Sequence, residues 1–404
     1  MSSIQGPSLT SVRPITGRFA TTALTLAATW VLATPAAQAN NGFNMPGYGT
    51  RALGMGGASI ALPQDSLAAA NNPAGMALVG DRFDVDLAVI SADLDLDVAG
   101  NGYHDSPLPL VPEFGFNRRL SDDWTAGVSV VSNGVELDYG EAVPGYGTTD
   151  LKSKLVQTIV HPTLTYQLAP GHYLGASLLL GAQRLRVSGV ENLGLQDTEG
   201  DWATGYGAAF GYIGRLSPEW QVGATYRTPM RFSRFDEYRR LLPEGRVDMP
   251  QQAGLGVAYT PTDRLTLALD VMWLGWGEEH TWGNAFTEGG ALGDRNGSGF
   301  GWQDQRVVRF GASYDVTPAW TVRGGASFAS ELMSGDESTL AALAPLMGRD
   351  HYTLGTSYTL GNGIELNGAF VHMPTEHLHG DGASQAVDVG IGVDMLSLGI
   401  GVPL

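Results

Sequence analysis

The chain has 404 residues, no cysteine, and a formal charge of −18 from 41 acidic against 23 basic residues. The missing cysteine excludes disulfides, thiolate metal sites and cysteine nucleophiles, and the acidic balance excludes nucleic acid, whose phosphates require a basic surface. Mean hydropathy near zero does not exclude a membrane protein, because a lipid-facing strand alternates apolar-out with polar-in and averages to nothing.

The first element is a leader. Arg13 and Arg18 form a positive start, Phe19 to Ala33 an apolar, small-residue stretch, and Ala37-Gln38-Ala39 the small-x-small pattern of a signal-peptidase site. Thr21, Thr22, Thr25, Thr29 and Pro35 break the run, so it falls short of the roughly 20 apolar residues of a spanning helix. Residues 1–39 are therefore expected to be removed, leaving an exported chain that starts at Asn40.

Residues 40–80 are rich in glycine (Gly42, Gly47, Gly49, Gly54, Gly56, Gly57) and show no sustained alternation. A segment of this length ahead of the first strand either hangs in the periplasm or folds back into a lumen. The strand count below gives a lumen wide enough to need filling, so a plug, or hatch, is expected.

From about residue 81 to the end the chain alternates with period two. Val85, Leu87 and Val89 alternate with Asp84, Asp86 and Ala88, and Leu94, Leu96 and Val98 with Asp93, Asp95 and Asp97. Later runs such as Trp220 to Arg227 and Leu265 to Trp273 keep the rule. Six connections are short and turn-like, at 120–123, 169–172, 216–219, 260–263, 316–319 and 360–363. Seven are longer, near 99–110, 139–153, 191–201, 238–246, 283–301, 333–350 and 374–384. The expectation is an all-β fold: a 14-stranded antiparallel transmembrane β-barrel over 81–404, with periplasmic turns, external loops and aromatic girdles at the strand ends.

The hatch carries Gly54-Met55-Gly56-Gly57-Ala58, then Asp65, then Asn72-Pro73-Ala74-Gly75-Met76-Ala77. Late strands carry Trp302-Gln303-Asp304, Phe310-Gly311-Ala312-Ser313-Tyr314, Trp320-Thr321-Val322-Arg323-Gly324-Gly325 and Leu354-Gly355-Thr356-Ser357-Tyr358. In this order the segments resemble the FadL family of outer-membrane transporters for long-chain fatty acids and aromatic hydrocarbons, over essentially the whole exported chain. The resemblance implies a passive route for hydrophobic small molecules or fatty acids. Ligand is captured among external loops, passes a hatch that shifts at Asn72, Pro73 and Ala74, and leaves sideways into the bilayer where the third strand kinks. That strand spans about 123–138, and Ser132, Asn133 and Gly134 interrupt it with residues that tolerate a bulge. The resemblance also aligns a basic ligand contact with Arg184 and Arg186 on the fifth strand, where two guanidinium groups suit a carboxylate.

Three departures from the family stand out, two that bear on the ligand and a third, at the C-terminus, that bears on the assembly signal. The loops at 139–153 and 191–201 are short, Glu278, Glu279 and His280 stand where a lysine is expected, and the chain ends Gly401-Val402-Pro403-Leu404 without a terminal aromatic. The first two favour an uncharged or smaller hydrophobic ligand. Leu340, Leu343, Leu346 and Met347 form an apolar, helical-looking patch on an external loop suited to capture. No cofactor or metal is expected, the expected surroundings are outer-membrane lipid and lipopolysaccharide, and the expected state is a monomer. The competing readings are a general diffusion porin and an outer-membrane lipid-modifying enzyme, for which His372, His377, His379 and Ser384 are the cluster to inspect.

Overall fold

The computed structural model describes residues 41–195, 200–287 and 290–404, so the leader at 1–39 lies outside the described residues. Sixteen strand segments close into one antiparallel sheet in which the first and last pair. They make fourteen staves, because two staves each come in two pieces. In chain order these are β1 (Arg82–Val98), β2 (Asn101–Asp105 and Leu110–Arg119), β3 (Trp124–Ala142), β4 (Asp150–Ala169), β5 (His172–Ser188), β6 (Asp201–Arg215) and β7 (Trp220–Arg227 and Arg231–Phe232). They continue with β8 (Gln252–Thr262), β9 (Leu265–Leu274), β10 (Gln305–Thr317), β11 (Trp320–Ala329), β12 (His351–Thr359), β13 (Glu365–Leu378) and β14 (Val387–Pro403). β14 closes on β1 in unbroken register from Arg82↔Pro403 to Val98↔Val387, which leaves no free sheet edge at the seam.

The alternation changes sign with height. Near the turns, Val85, Leu87 and Val89 face outward and Asp84 and Asp86 point in, buried. Six residues further along β1, Asp93 and Asp95 are the exposed ones, while Leu94 and Leu96 are fully buried. The outer wall is thus apolar only where it meets hydrocarbon. Above that band it is polar outside and apolar inside, as a water-soluble barrel would be. Leu178, Leu255, Leu354 and Leu398 mark the lipid belt, each 59–67 % exposed. Trp220 stacked on Tyr259 and Trp124 against Tyr166 mark its rim on the turn side.

Two expected loops are corrected. The segment 99–110 is no long loop: Ala99 and Gly100, both at positive φ, make a tight turn, and 101–105 pairs straight back onto β1. The second stave keeps one register along β1 through Ser106-Pro107-Leu108-Pro109, with the Ile90 N–H donating to Pro109 O at 3.0 Å and the Ala92 N–H to Pro107 O at 3.3 Å. The connection after β3 is likewise shorter than expected, because β3 runs to Ala142.

Candidate functional site

The hatch fills the turn-side half of the lumen with little secondary structure of its own, so its backbone groups must find partners in the wall. Inward-pointing acids take its N–H groups. Asp86 accepts from Thr50 N at 2.7 Å, Glu113 from Gly49 N at 2.8 Å, Asp84 from Ser66 N at 2.9 Å, and Asp270 from Ser59 N and Ile60 N at 2.7 and 2.9 Å. Wall donors take its carbonyls: Asn117 reaches Met76 O and Gly80 O, Ser129 reaches Ser66 O, Gln221 reaches Ala61 O and Arg227 reaches Ala70 O. Within the hatch, burial and then the neighbouring Asp84 carboxylate push the Asp65 carboxyl above the ordinary aspartate range.

Asn72, Pro73 and Ala74 are the seat of this floor. Asn72 caps a 3₁₀ turn over Pro73–Ala77, its Oδ1 accepting from Ala74 N at 3.1 Å, while its Nδ2 donates to Ile60 O at 2.7 Å and Tyr212 O at 3.2 Å. Opposite lie Gly175 and Gly211, a directly facing pair on β5 and β6. A Cβ at Gly211 would stand 1.9 Å from Asn72 Oδ1, and one at Gly175 2.3 Å from Ala74 N. Asn72→Ala removes both Nδ2 bonds together with the cap, whose loss by itself costs roughly 1 kcal/mol. Amide exchange at Ala74 in the folded protein is therefore expected to quicken by about fivefold or more, with exchange in β10 to β14 unchanged.

Above the hatch the lumen is an apolar chamber. A cavity of about 40 Å³ is bounded by Leu155, Leu185 and Val187 of the wall, Trp282, and Leu340 and Leu343 from the segment that closes the mouth. Leu340, Leu343, Leu346 and Met347 are therefore an inward-facing cover, all buried, and not the exposed patch expected. An apolar cavity that takes benzene measures roughly 150 Å³, so even a single-ring compound enters only as these side chains part. Phe43 of the hatch packs on Trp282, which stacks on Trp302 at 4.3 Å, forming the aromatic floor of the chamber.

Arg184 and Arg186 are corrected: they face outward and are exposed, Arg184 lying over the Trp202 ring at 5.6 Å. At this height the wall has already inverted, so Gln183, Leu185 and Val187 point in. Glu279, in the region of the expected lysine, is buried in an ion pair with Arg231.

The third stave holds a second correction. The ladder from β3 to β4 passes through Ser132, Asn133 and Gly134 without a register shift, so those residues do not interrupt the strand. What ends is the ladder on the other side, from β2 to β3, whose last pair towards the loops is Phe114↔Val130. Two residues on in that register, Pro112 would meet Ser132, and it has no N–H to give. Asn133 points inward at this break, its Oδ1 accepting from Met45 N at 3.3 Å and from the Tyr48 hydroxyl at 2.9 Å. The prolines at 107, 109 and 112 were the sequence signal for the break.

The histidine cluster lies outside the lumen. His372 pairs with Asp394 at 2.8 Å and His379 with Asp388 at 3.4 Å on the outer surface. Ser384 is buried, its hydroxyl donating to Asp336 O at 2.6 Å, so no histidine activates it. Among the described residues no group of three or more His, Asp or Glu side chains is placed to hold a metal.

Comparison with solved structures gives the same fold at low identity. The toluene transporter TodX of P. putida superposes with a TM-score of 0.68 at 18 % identity, covering 89 % of this chain and 99 % of that one. The Ralstonia pickettii toluene transporter TbuX gives 0.63 at 18 % over 88 % and 99 %, and a Pseudomonas aeruginosa FadL homologue 0.64 at 17 % over 89 % and 98 %. No curated protein matches the sequence. The family described as outer membrane protein transport protein (OMPP1/FadL/TodX) matches residues 26–395. A match over that length, on a closed fourteen-stave barrel with its floor in place, means that the chain belongs to the OMPP1/FadL/TodX family of bacterial outer-membrane transport proteins.

Proposed function

We propose that this chain takes up small hydrophobic compounds passively, admitting them under the Leu340–Met347 cover and releasing them sideways into the outer membrane between β2 and β3. The observation that carries the reading is the end of the β2–β3 ladder at Phe114↔Val130, beside an apolar chamber whose floor is bonded to the wall on all sides. A compound in the chamber has a seated hatch below and, at its flank, a seam without a backbone ladder, crossed near the loops by the bond from Asp138 N to Asp105 Oδ2 at 2.7 Å. The part of the hatch that shifts, on this reading, is 41–48, which is tied to the seam through Asn133. Moving sideways into lipid yields roughly 0.8 kcal/mol per CH₂ relative to water, so no energy source is needed.

Proline chemistry supplies the test. Pro112→Thr restores a donor facing β3 and adds one ladder bond worth roughly 0.5–1.5 kcal/mol. Uptake of a radiolabelled hydrocarbon by cells lacking other uptake routes is expected to fall about threefold to tenfold. Pro107→Thr and Pro109→Thr restore donors that face β1 and leave uptake as it was. Equal effects from all three, or none from Pro112→Thr, would remove the seam as the exit.

A further inference from the structure

The inversion that turns Arg184 and Arg186 outward also fixes their height. On β5 the outward row runs Leu174, Ala176, Leu178, Leu180, Ala182, Arg184 and Arg186, and its first five members are apolar. The rise from Leu174 to Arg184, at roughly 3.3 Å per residue on a stave tilted about 40°, is about 25 Å. That is the height of the apolar band on an outer-membrane barrel, so Arg184 stands where hydrocarbon gives way to headgroups on the loop side. Its neighbours on β6 mark the same level. Tyr206, opposite Leu180, is 71 % exposed, and Trp202 lies opposite Arg184 with its ring 5.6 Å from the guanidinium. Such amphipathic rings sit at headgroup level.

Positive charge gathers here in a chain whose formal charge is −18. Arg186 stands directly across the ladder from Lys154 of β4, whose outward row continues to Lys152. Like charges placed directly opposite in a ladder destabilise it. The lysines are partly offset from the β3 side, Lys154 by Glu136 at 2.8 Å and Lys152 by Asp138 at 2.9 Å. Arg186 enters no ion pair among the described residues. Elsewhere the outer wall above the belt is acidic, with Asp93 and Asp95 of β1 and Asp394 of β14 all exposed. The staves end here in the external loops, so the leaflet is the outer one, whose phosphates belong to lipopolysaccharide. An acidic wall repels those phosphates, and the row on β4 and β5 attracts them.

We propose that Arg184 and Arg186, flanked by Lys154 and Trp202, dock a phosphate of outer-leaflet lipopolysaccharide against the outside of the barrel. The guanidinium groups clamp phosphate oxygens through parallel N–H donors. The acyl chains then lie along the outward apolar rows below, Leu174 to Ala182 on β5 and Phe210 to Tyr206 on β6. The site lies outside the lumen and does not depend on what the barrel carries.

The test uses the full-length protein as a folded barrel in non-ionic detergent, with native mass spectrometry reading the lipids retained. The probes are diphosphoryl lipid A, the same lipid A with its phosphates removed, and phosphatidylglycerol. The unaltered protein should retain lipid A at a concentration about tenfold or more below that needed for the dephosphorylated form. Arg184→Gln combined with Arg186→Gln should weaken lipid A about tenfold or more and leave phosphatidylglycerol within about twofold. Both side chains are exposed, so the pair can be replaced in a folded barrel, which heat-modifiable mobility on gels checks. Arg306→Gln removes an exposed outward arginine from β10 and should leave lipid A binding as in the parent. Lipid A held equally by parent and double variant, or equally with and without its phosphates, would overturn the site. A loss from Arg306→Gln as large as from the pair would reduce the effect to net charge and overturn it too. Phosphatidylglycerol that depends on the pair as strongly as lipid A does would overturn the assignment to lipopolysaccharide.

Discussion

Replacing Gly211 with valine is expected to turn a barrel that passes little ion current into one with steady conductance, at least about tenfold above the parent in planar bilayers. The reason is steric. The added Cβ would stand 1.9 Å from Asn72 Oδ1 and 2.8 Å from Ala74 N, and Gly175 across the ladder leaves no slack on that side. Ordinary overpacking of a core costs roughly 1–3 kcal/mol, and here the obstacles are the bonded Asn72 side chain and, behind it, the backbone at Ala74. The floor must lift at Asn72-Pro73-Ala74, which also breaks the bonds from Asn72 to Ile60 O and Tyr212 O. Gly368→Val is the control, because a Cβ there meets nothing nearer than 3.8 Å, at Thr356, on the outer face. Heat-modifiable mobility on gels checks that both variants are folded barrels. A folded Gly211→Val barrel without added conductance would show that the seat does not seal the lumen, and high conductance in the parent would favour the general-porin reading instead.

What the sequence made legible follows from what each signal depends on. Period-two alternation and the contrast of short turns with longer loops are local, so the fourteen staves could be counted before any contact was known. The facing of Arg184 and Arg186 was not local. Polar-in, apolar-out holds only inside hydrocarbon, and the sequence does not say where the hydrocarbon stops. The same inversion that sends Asp93 and Asp95 outward over Leu94 and Leu96 sends Arg184 and Arg186 outward over Leu185 and Val187. Pro107 and Pro109 fell within the loop expected at 99–110 and Pro112 just beyond it, and none of the three was read as a break in a ladder. In the barrel two of them forgo a donor to β1 while keeping the acceptor, and the third sits where the next ladder ends. The hatch was recognisable from Asn72-Pro73-Ala74, but its partners Gly175 and Gly211 lie about a hundred or more residues away.

Tethering β2 to β3 is expected to have the other large effect. In the register that ends at Phe114↔Val130, Leu108 falls opposite Glu136, both on the outer face of the open stretch. The chain has no cysteine, so Leu108→Cys with Glu136→Cys presents a single pair of thiols. Bridging them with a reagent that spans the seam and contains a reducible link should lower hydrocarbon uptake about tenfold or more, as it fixes the stretch of wall where the β2–β3 ladder has ended. Cleaving the link should restore uptake in the same cells. Each single-cysteine variant, treated alike, should behave as the parent, which separates closure from bulk. The same pair also distinguishes the exit from the entrance. With the seam bridged, a hydrophobic probe should still quench the buried tryptophans Trp276, Trp282 and Trp302 beside the chamber, because the mouth under Leu340 and Leu343 is untouched. Binding retained with uptake lost places the block after the chamber. Uptake that persists through a complete bridge means that compounds leave past the hatch, and the seat at Gly175 and Gly211 then becomes the gate to examine.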